Sequence, residues 1–339
     1  MRWQMTNDNR RYLFGPKLVA SFLVFLVMFA IAMVLGAADT SLRDVWMALT
    51  TRAAGEKMSL LREIRLPREV AAIFVGSALS VAGAIMQGMT RNPLADPGLL
   101  GLTAGANAAL AITIALIPTA NYLGIMVACF IGAAIGALLV FGMGSLKKGG
   151  FSPLRMVLAG SAVSAFLYAV AEGVALHFKV SKDVSMWTAG GVVGTSWSQL
   201  QIIIPFITIG IILAVILSRQ LTILSLSEEG AVGLGQKTML IKTILFIVMI
   251  LLAGASVALV GNMAFIGLMI PHLVRPLVGT DYRYIIPMSA VIGAAFMLLA
   301  DTLGRTVNAP YETPVVALVA VLGLPFFLFI VRKRGKSFL

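Results

Sequence analysis

The chain has 339 residues, of which 59% are hydrophobic and only 12% charged; soluble domains are about 45–50% apolar and about 25% charged. This excludes a soluble globular enzyme and gives an all-α integral membrane protein with apolar residues enough for about ten spans of about 20 residues each. The net charge of +12 fits loop lysines and arginines that set orientation better than nucleic-acid binding, and the single cysteine, Cys129, excludes an internal disulfide.

A basic start, Met1 to Lys17, precedes the apolar run 18–38. The run exceeds the core of a signal peptide, about 7–15 residues, so it reads as a retained first span although Gly36-Ala37-Ala38 resembles a cleavage site. Further apolar runs at 69–88, 98–117, 122–144, 154–176, 200–218, 239–259, 262–279, 284–303 and 313–331 are helices by length and lack of alternation. The eighth of the ten, interrupted by Gly261, Gly267 and Pro271, is expected to be short or broken. With the N-terminus in the cytoplasm, most lysines and arginines fall inside: at both termini, at Lys147 and Lys148, and between Arg219 and Lys237. Both termini are therefore expected to be cytoplasmic. The main exception is the first external loop, with Arg43, Arg52, Lys57, Arg62, Arg65 and Arg68. It is either a solvated loop or a docking surface for an acidic partner.

Within that loop, Ile64-Arg-Leu-Pro-Arg68 carries proline at a helix start. Arg65 and Arg68 can share a face, Arg305 lands on the same side, and arginine suits bidentate pairing with carboxylates. At the other end of the second span, Asn92-Pro-Leu-Ala-Asp-Pro-Gly-Leu-Leu-Gly101 cannot continue a helix. Pro93 and Pro97 set a turn and Asp96 can cap the next helix. With Gln87, the residues Asn92, Pro93, Asp96, Pro97 and Gly98 are expected to shape the inner mouth of a pathway. Gly101-x-x-x-Gly105 and Gly132-x-x-x-Gly136 permit close helix contact within a bundle.

Neither His177 nor His272 has a second ligand at metal spacing. Glu172 is the acid found within a span, near its outer end, and a proton relay would need more; this argues against an ion-coupled carrier. In the loop from Arg219 to Lys237, Ser227 followed by Glu228 and Glu229 is a helix start. The stretch from Gly230 falls short of a phosphate-binding loop, because Gln236 separates Gly235 from Lys237 and no strand precedes it. The remaining reading is a short helix-turn that can seat in a partner's groove.

Arg65-Leu-Pro-Arg68, Gly83-Ala-Ile-Met-Gln-Gly88, the Asn92–Gly101 segment, Phe265-Ile-Gly-Leu-Met-Ile-Pro-His-Leu-Val-Arg275, Ala300-Asp301 with Arg305, and Leu322-Gly-Leu-Pro-Phe-Phe327 together resemble the FecCD family. Its members are membrane subunits of ATP-driven importers for iron–siderophores, heme and vitamin B12. The resemblance implies a type II ABC importer permease fold and a single transmembrane domain over residues 1–339 with a coupling loop at 219–238, in a bacterial cytoplasmic membrane. It implies a second permease subunit, identical or homologous, two ATPase subunits that hydrolyse the ATP, and an extracytoplasmic binding protein. The chain is then a transport subunit rather than an enzyme, with no cofactor of its own. Arg65, Arg68 and Arg305 match family arginines that pair with glutamates on the binding protein. Ser227, Glu228, Glu229, Gly230, Gly233, Leu234 and Gly235 match the coupling helices that sit in an ATPase cleft. One departure is Asn308-Ala-Pro-Tyr-Glu-Thr-Pro314, with an extra proline and a tyrosine before the usual Glu-x-Pro. An iron–siderophore, of the hydroxamate type for preference, is the expected cargo; vitamin B12 and heme stay open, and an ion-coupled secondary transporter is the distant rival.

Overall fold

The computed structural model describes residues 2–36, 40–51, 54–145, 153–189, 191–309 and 311–335. Ala37, Ala38, Arg52, Lys147, Lys148 and Pro310 lie outside them. Among the described residues there is no strand. Each of the ten apolar runs is a helix: α1 (Arg2–Val34), α4 (Leu66–Thr90), α5 (Leu102–Leu116), α6 (Tyr122–Ser145), α7 (Pro153–His177), α9 (Trp197–Ile216), α12 (Thr238–Val260), α13 (Ile266–Val278), α14 (Tyr282–Thr306) and α15 (Val315–Gly335). Seven are long and apolar enough to cross a membrane, and α5, α13 and the apolar part of α15 are shorter. At about 1.5 Å per residue, the 13 residues of α13 rise about 20 Å, short of a hydrocarbon core about 30 Å thick.

Five further helices lie in the connections: α2 (Leu42–Thr50), α3 (Glu56–Ser59), α8 (Ser181–Ala189), α10 (Ser218–Leu226) and α11 (Glu228–Gly233). They are too short or too polar to register as apolar runs. α2 is set by a capping box in which Ser41 and Asp44 satisfy each other's backbone N–H groups. Those hydrogen bonds from Ser41 hold the Asp44 carboxyl below its ordinary value.

α4 is the axis of the bundle and is buried over most of its length. It packs against α14, α13, α12 and α9. The approach is close because glycine meets glycine. A methyl group at Gly76 would overlap the Gly293 carbonyl, and one at Gly83 would overlap that of Gly267. α5 and α6 meet the same way: Gly101 faces Gly136 and Gly105 faces Gly132. The two small-residue motifs thus form one seam, where the backbones touch with no side chain between.

α4 is entered through a π turn, Leu60–Arg65, in which the Leu66 N–H donates to the Leu61 carbonyl. Pro67, in the first turn of α4, has no N–H to donate back to Glu63. α4 then runs 25 residues, about 37 Å, and separates two polar ends of the molecule.

Candidate functional site

The first polar end surrounds the start of α4. Arg68 Nε donates to both carboxylate oxygens of Asp301 at 3.0 Å, and Nη2 to Oδ1 at 2.8 Å. Its Nη1 donates to Glu312 Oε1 at 2.7 Å. Arg305, one turn beyond Asp301 on α14, places Nε 3.1 Å from Asp301 Oδ2 and donates through Nη2 to Glu69 Oε1 at 2.5 Å. Arg65 donates through Nη1 to the Met33 carbonyl at 2.7 Å and to Thr40 Oγ1 at 2.6 Å. Asp301 and Glu69 are fully buried, and the three arginines are nearly so.

The structure brings the three arginines to one end of the molecule, as their spacing suggested, but buries them. Low dielectric makes a buried guanidinium costly unless it is paired. For Arg68 and Arg305, Glu69, Asp301 and Glu312 supply that pairing from α4, α14 and the connection to α15. Two of the three guanidiniums thus share three carboxylates, while Arg65 is met by the Met33 and Val34 carbonyls and Thr40. Arginines also cap two helices. Arg65 bonds the Met33 and Val34 carbonyls at the end of α1, and Arg62 bonds the Ala48 and Thr51 carbonyls at the end of α2. These carbonyls have no partner within their own helix and lie at the negative end of its dipole. Beside Arg65 is a hollow of about 590 Å³ lined by Val34, Leu35, Gly36, Thr40, Ser41, Asp44 and Lys57.

The second polar end carries α10 and α11. Ser227 Oγ accepts from the Gly230 N–H at 2.9 Å, so α11 starts at the residue expected for it. It closes with Gly235 at φ +77°; the Gln236 N–H reaches the Ala231 carbonyl and the Gly235 N–H the Val232 carbonyl. This glycine-terminated C-cap explains why Gly233-Leu-Gly235 only imitates a phosphate loop. Glu228 pairs with Lys242 of α12 at 2.5 Å. Leu226 is 78% exposed, Leu234 73% and Met239 77%, while Ala231 is buried beneath them. α10 is tied to the bundle where Thr222 Oγ1 donates to Asp281 Oδ1 at 3.0 Å and accepts from the Tyr282 N–H at 2.9 Å. Burial pushes the Asp281 carboxyl up, but hydrogen bonds from Arg283 and Thr222 outweigh it and hold it below its ordinary value. Leu221 of α10 lies against Gly88 near the end of α4.

The Asn92–Gly101 break lies between these ends. Asn92 Oδ1 accepts from the Leu94 N–H, and Asp96 Oδ1 from the Gly98 N–H at 2.8 Å at the head of a 3₁₀ turn, Pro97–Leu100. Asp96 Oδ2 and the Pro97 ring also lie against Gly267 in the first turn of α13. Pro271 cannot donate to the Gly267 carbonyl four residues earlier; Gln87 Nε2 does so instead, at 3.2 Å, and reaches the Leu268 carbonyl at 3.2 Å. Gln87, Asp96 and Pro97 are buried, whereas Asn92, Pro93 and Gly98 are half-buried. Those three buried residues hold α13 from inside the subunit.

A FecCD transport family profile matches residues 23–333. The chain belongs to the FecCD transport family. It is a multi-pass membrane permease of the ABC transporter type, a transport subunit. It is 44% identical to the iron(3+)-hydroxamate import system permease protein FhuB of Bacillus subtilis (strain 168), over 89% of this chain and 79% of that one. It is 37% identical to the hemin transport system permease protein HmuU of Yersinia pestis, over 95% of this chain and 97% of that one. A solved structure of a metal-chelate type ABC transporter in an inward-facing conformation superposes with a TM-score of 0.81 at 25% identity, covering 94% of this chain and 99% of that one.

FecCD membership leaves four residues that the sequence reading passed over. Glu69 sits four residues after Arg65, and Asp301 four residues before Arg305, so these two acids were visible at helical pairing distance from an arginine. Glu312 and Thr40 carried no such local signal, because their partners are distant in sequence.

Proposed function

We propose that this FecCD chain is one permease half of an ATP-driven importer for ferric siderophores, with hydroxamate chelates the favoured cargo. The observation that carries the cargo is the 44% identity to an iron(3+)-hydroxamate permease over most of both chains. All ten apolar helices cross or dip into the membrane, with both termini in the cytoplasm and the Arg65 end outside. A second permease subunit completes the pathway, two ATPases receive the Ser227–Gly235 segment, and a binding protein docks at the Arg65 end. The exposed leucines beside the capped α11 support the ATPase contact, because a short rigid helix with an apolar rim suits insertion into a groove. Docking at Arg65, Arg68 and Arg305 proceeds by exchange at Arg68, where a partner glutamate takes the place of the half-exposed Glu312, while Arg65 and Arg305 add positive charge to the same end. Asn92, Pro93, Asp96, Pro97 and Gly98 shape the inner mouth, with Asp96, Pro97 and Gln87 seating α13 and Asn92, Pro93 and Gly98 forming the turn that carries them.

The test is uptake by proteoliposomes holding the permease, its ATPases and its binding protein. Ferric hydroxamate is expected to enter on ATP addition and to stimulate hydrolysis. Ferric citrate, hemin and cobalamin serve as comparisons. Uptake of hemin or cobalamin in preference to ferric hydroxamate overturns the cargo, and uptake driven by an ion gradient without ATP overturns the ATPase reading.

A further inference from the structure

Arg68 holds two carboxylates that differ sharply in surroundings. Asp301 is fully buried on α14, bonded through both oxygens, and shared with Arg305. The Glu312 side chain is 42% exposed and meets Arg68 through one oxygen. Glu312 lies on the short non-helical connection between α14 and α15. That connection is fixed by the Tyr311 N–H donating to the Asn308 carbonyl and the Thr313 N–H donating to the Gly304 carbonyl at 2.8 Å, and Pro314 leads into α15. A carboxylate arriving from solvent therefore meets Glu312 first, and exchanging one carboxylate for another leaves Arg68 paired throughout.

We propose that Glu312 is an internal competitor for the docking carboxylate: it occupies Arg68 Nη1 in the undocked permease, and an acidic side chain of the extracytoplasmic binding protein displaces it. Displacement removes the side-chain tether between α4 and the connection that leads into α15, whose backbone hydrogen bonds to Asn308 and Gly304 stay in place. This rests on the docking reading above. A half-exposed ion pair is weak, so Glu312 lowers docking affinity only a few-fold. A buried one such as Asp301–Arg68 resists exchange.

The experiment measures binding of the cognate binding protein, without added ligand, to the nanodisc-held complex of permease and ATPases. Glu312→Gln is expected to tighten docking roughly two- to five-fold, and Arg68→Ala to weaken it. Glu312→Ala, made in parallel, gives a second reading should the glutamine variant not fold. Unchanged or weaker docking by both Glu312 variants, with Arg68→Ala still weakening it, overturns the competition and leaves the docking reading standing. No effect from Arg68→Ala together with Arg305→Ala overturns the docking reading, and the competition with it.

Discussion

Gln87 on α4 donates to the Gly267 carbonyl on α13 at 3.2 Å, the carbonyl that Pro271 leaves without a donor in its own helix. The two residues form a lock across the tightest contact of the bundle, where Gly83 also meets Gly267. Gln87→Met keeps the volume but removes the donor, which leaves a buried carbonyl unsatisfied at a cost of about 1–3 kcal/mol. Pro271→Ala restores the helix's own N–H. The single Gln87 variant is expected to lower the thermal midpoint of the purified protein and the double variant to recover most of it. Equal losses in single and double variants would falsify the lock.

Asp301 is the anion between Arg68 and Arg305. Asp301→Asn leaves two guanidiniums facing a neutral group, and breaking a buried pair in this way costs about 3–5 kcal/mol. Glu312→Gln breaks a half-exposed pair, which costs no more than about 1 kcal/mol. The expected order in thermal unfolding and membrane yield is wild type close to Glu312→Gln, and both well above Asp301→Asn.

Asp96 accepts from the Gly98 N–H at the 3₁₀ turn and packs against Gly267 of α13. Asp96→Ala orphans the part-buried Gly98 N–H, at about 1–3 kcal/mol, whereas Asn keeps an acceptor oxygen. The alanine variant is expected to be the less stable of the two, read by unfolding of the purified permease. Equal stability would count against Asp96 as the acceptor that holds the turn.

Ser227→Ala removes the cap of α11 at about 1 kcal/mol, and Gly235→Val forces a β-branched residue into the left-handed region. Neither position lies in the bundle core. Both variants are expected to insert and fold normally while uptake per ATP hydrolysed falls. A normal ratio of uptake to hydrolysis in both would count against α11 as the coupling element.

Gly105→Leu drives a side chain into the backbone of Gly132 and is expected to abolish stable expression. At Gly173, a Cβ would meet nothing, so Gly173→Ala is expected to be neutral or slightly stabilising, by up to about 1 kcal/mol. The pair, compared by detergent-extracted yield, separates contact from helix propensity.

The ten helices were legible because lipid demands long apolar runs and closed backbone hydrogen bonding; even the shortness of α13, between Gly261 and Gly279, showed in its glycines and prolines. The start of α11 showed in Ser227 with its two glutamates. The arginine network was legible only in part. Asp301 and Arg305 lie on one helix face, but Arg68 meets Asp301 across 233 positions and Arg305 meets Glu69 across 236. No local pattern encodes such pairs, and arginines counted without their acids looked open. Gln87 was noticed as part of a motif, but its task follows from Pro271, which only the packing of α4 on α13 brings within reach.

The π turn at Leu60–Arg65 carries one residue more than an α-helix of the same rise. One residue is about 100° of helical phase, so the side chains before the turn are aimed independently of those after it. Arg62 and Arg65 can thus address the ends of α2 and α1 while Arg68, just beyond, addresses α14. Deleting one residue here, such as the exposed Ile64, would leave α4 seated but swing Arg62 off the end of α2. The extra residue works as a phase adjuster: the surface loop can change its sequence and direction without re-registering the most tightly packed helix of the molecule.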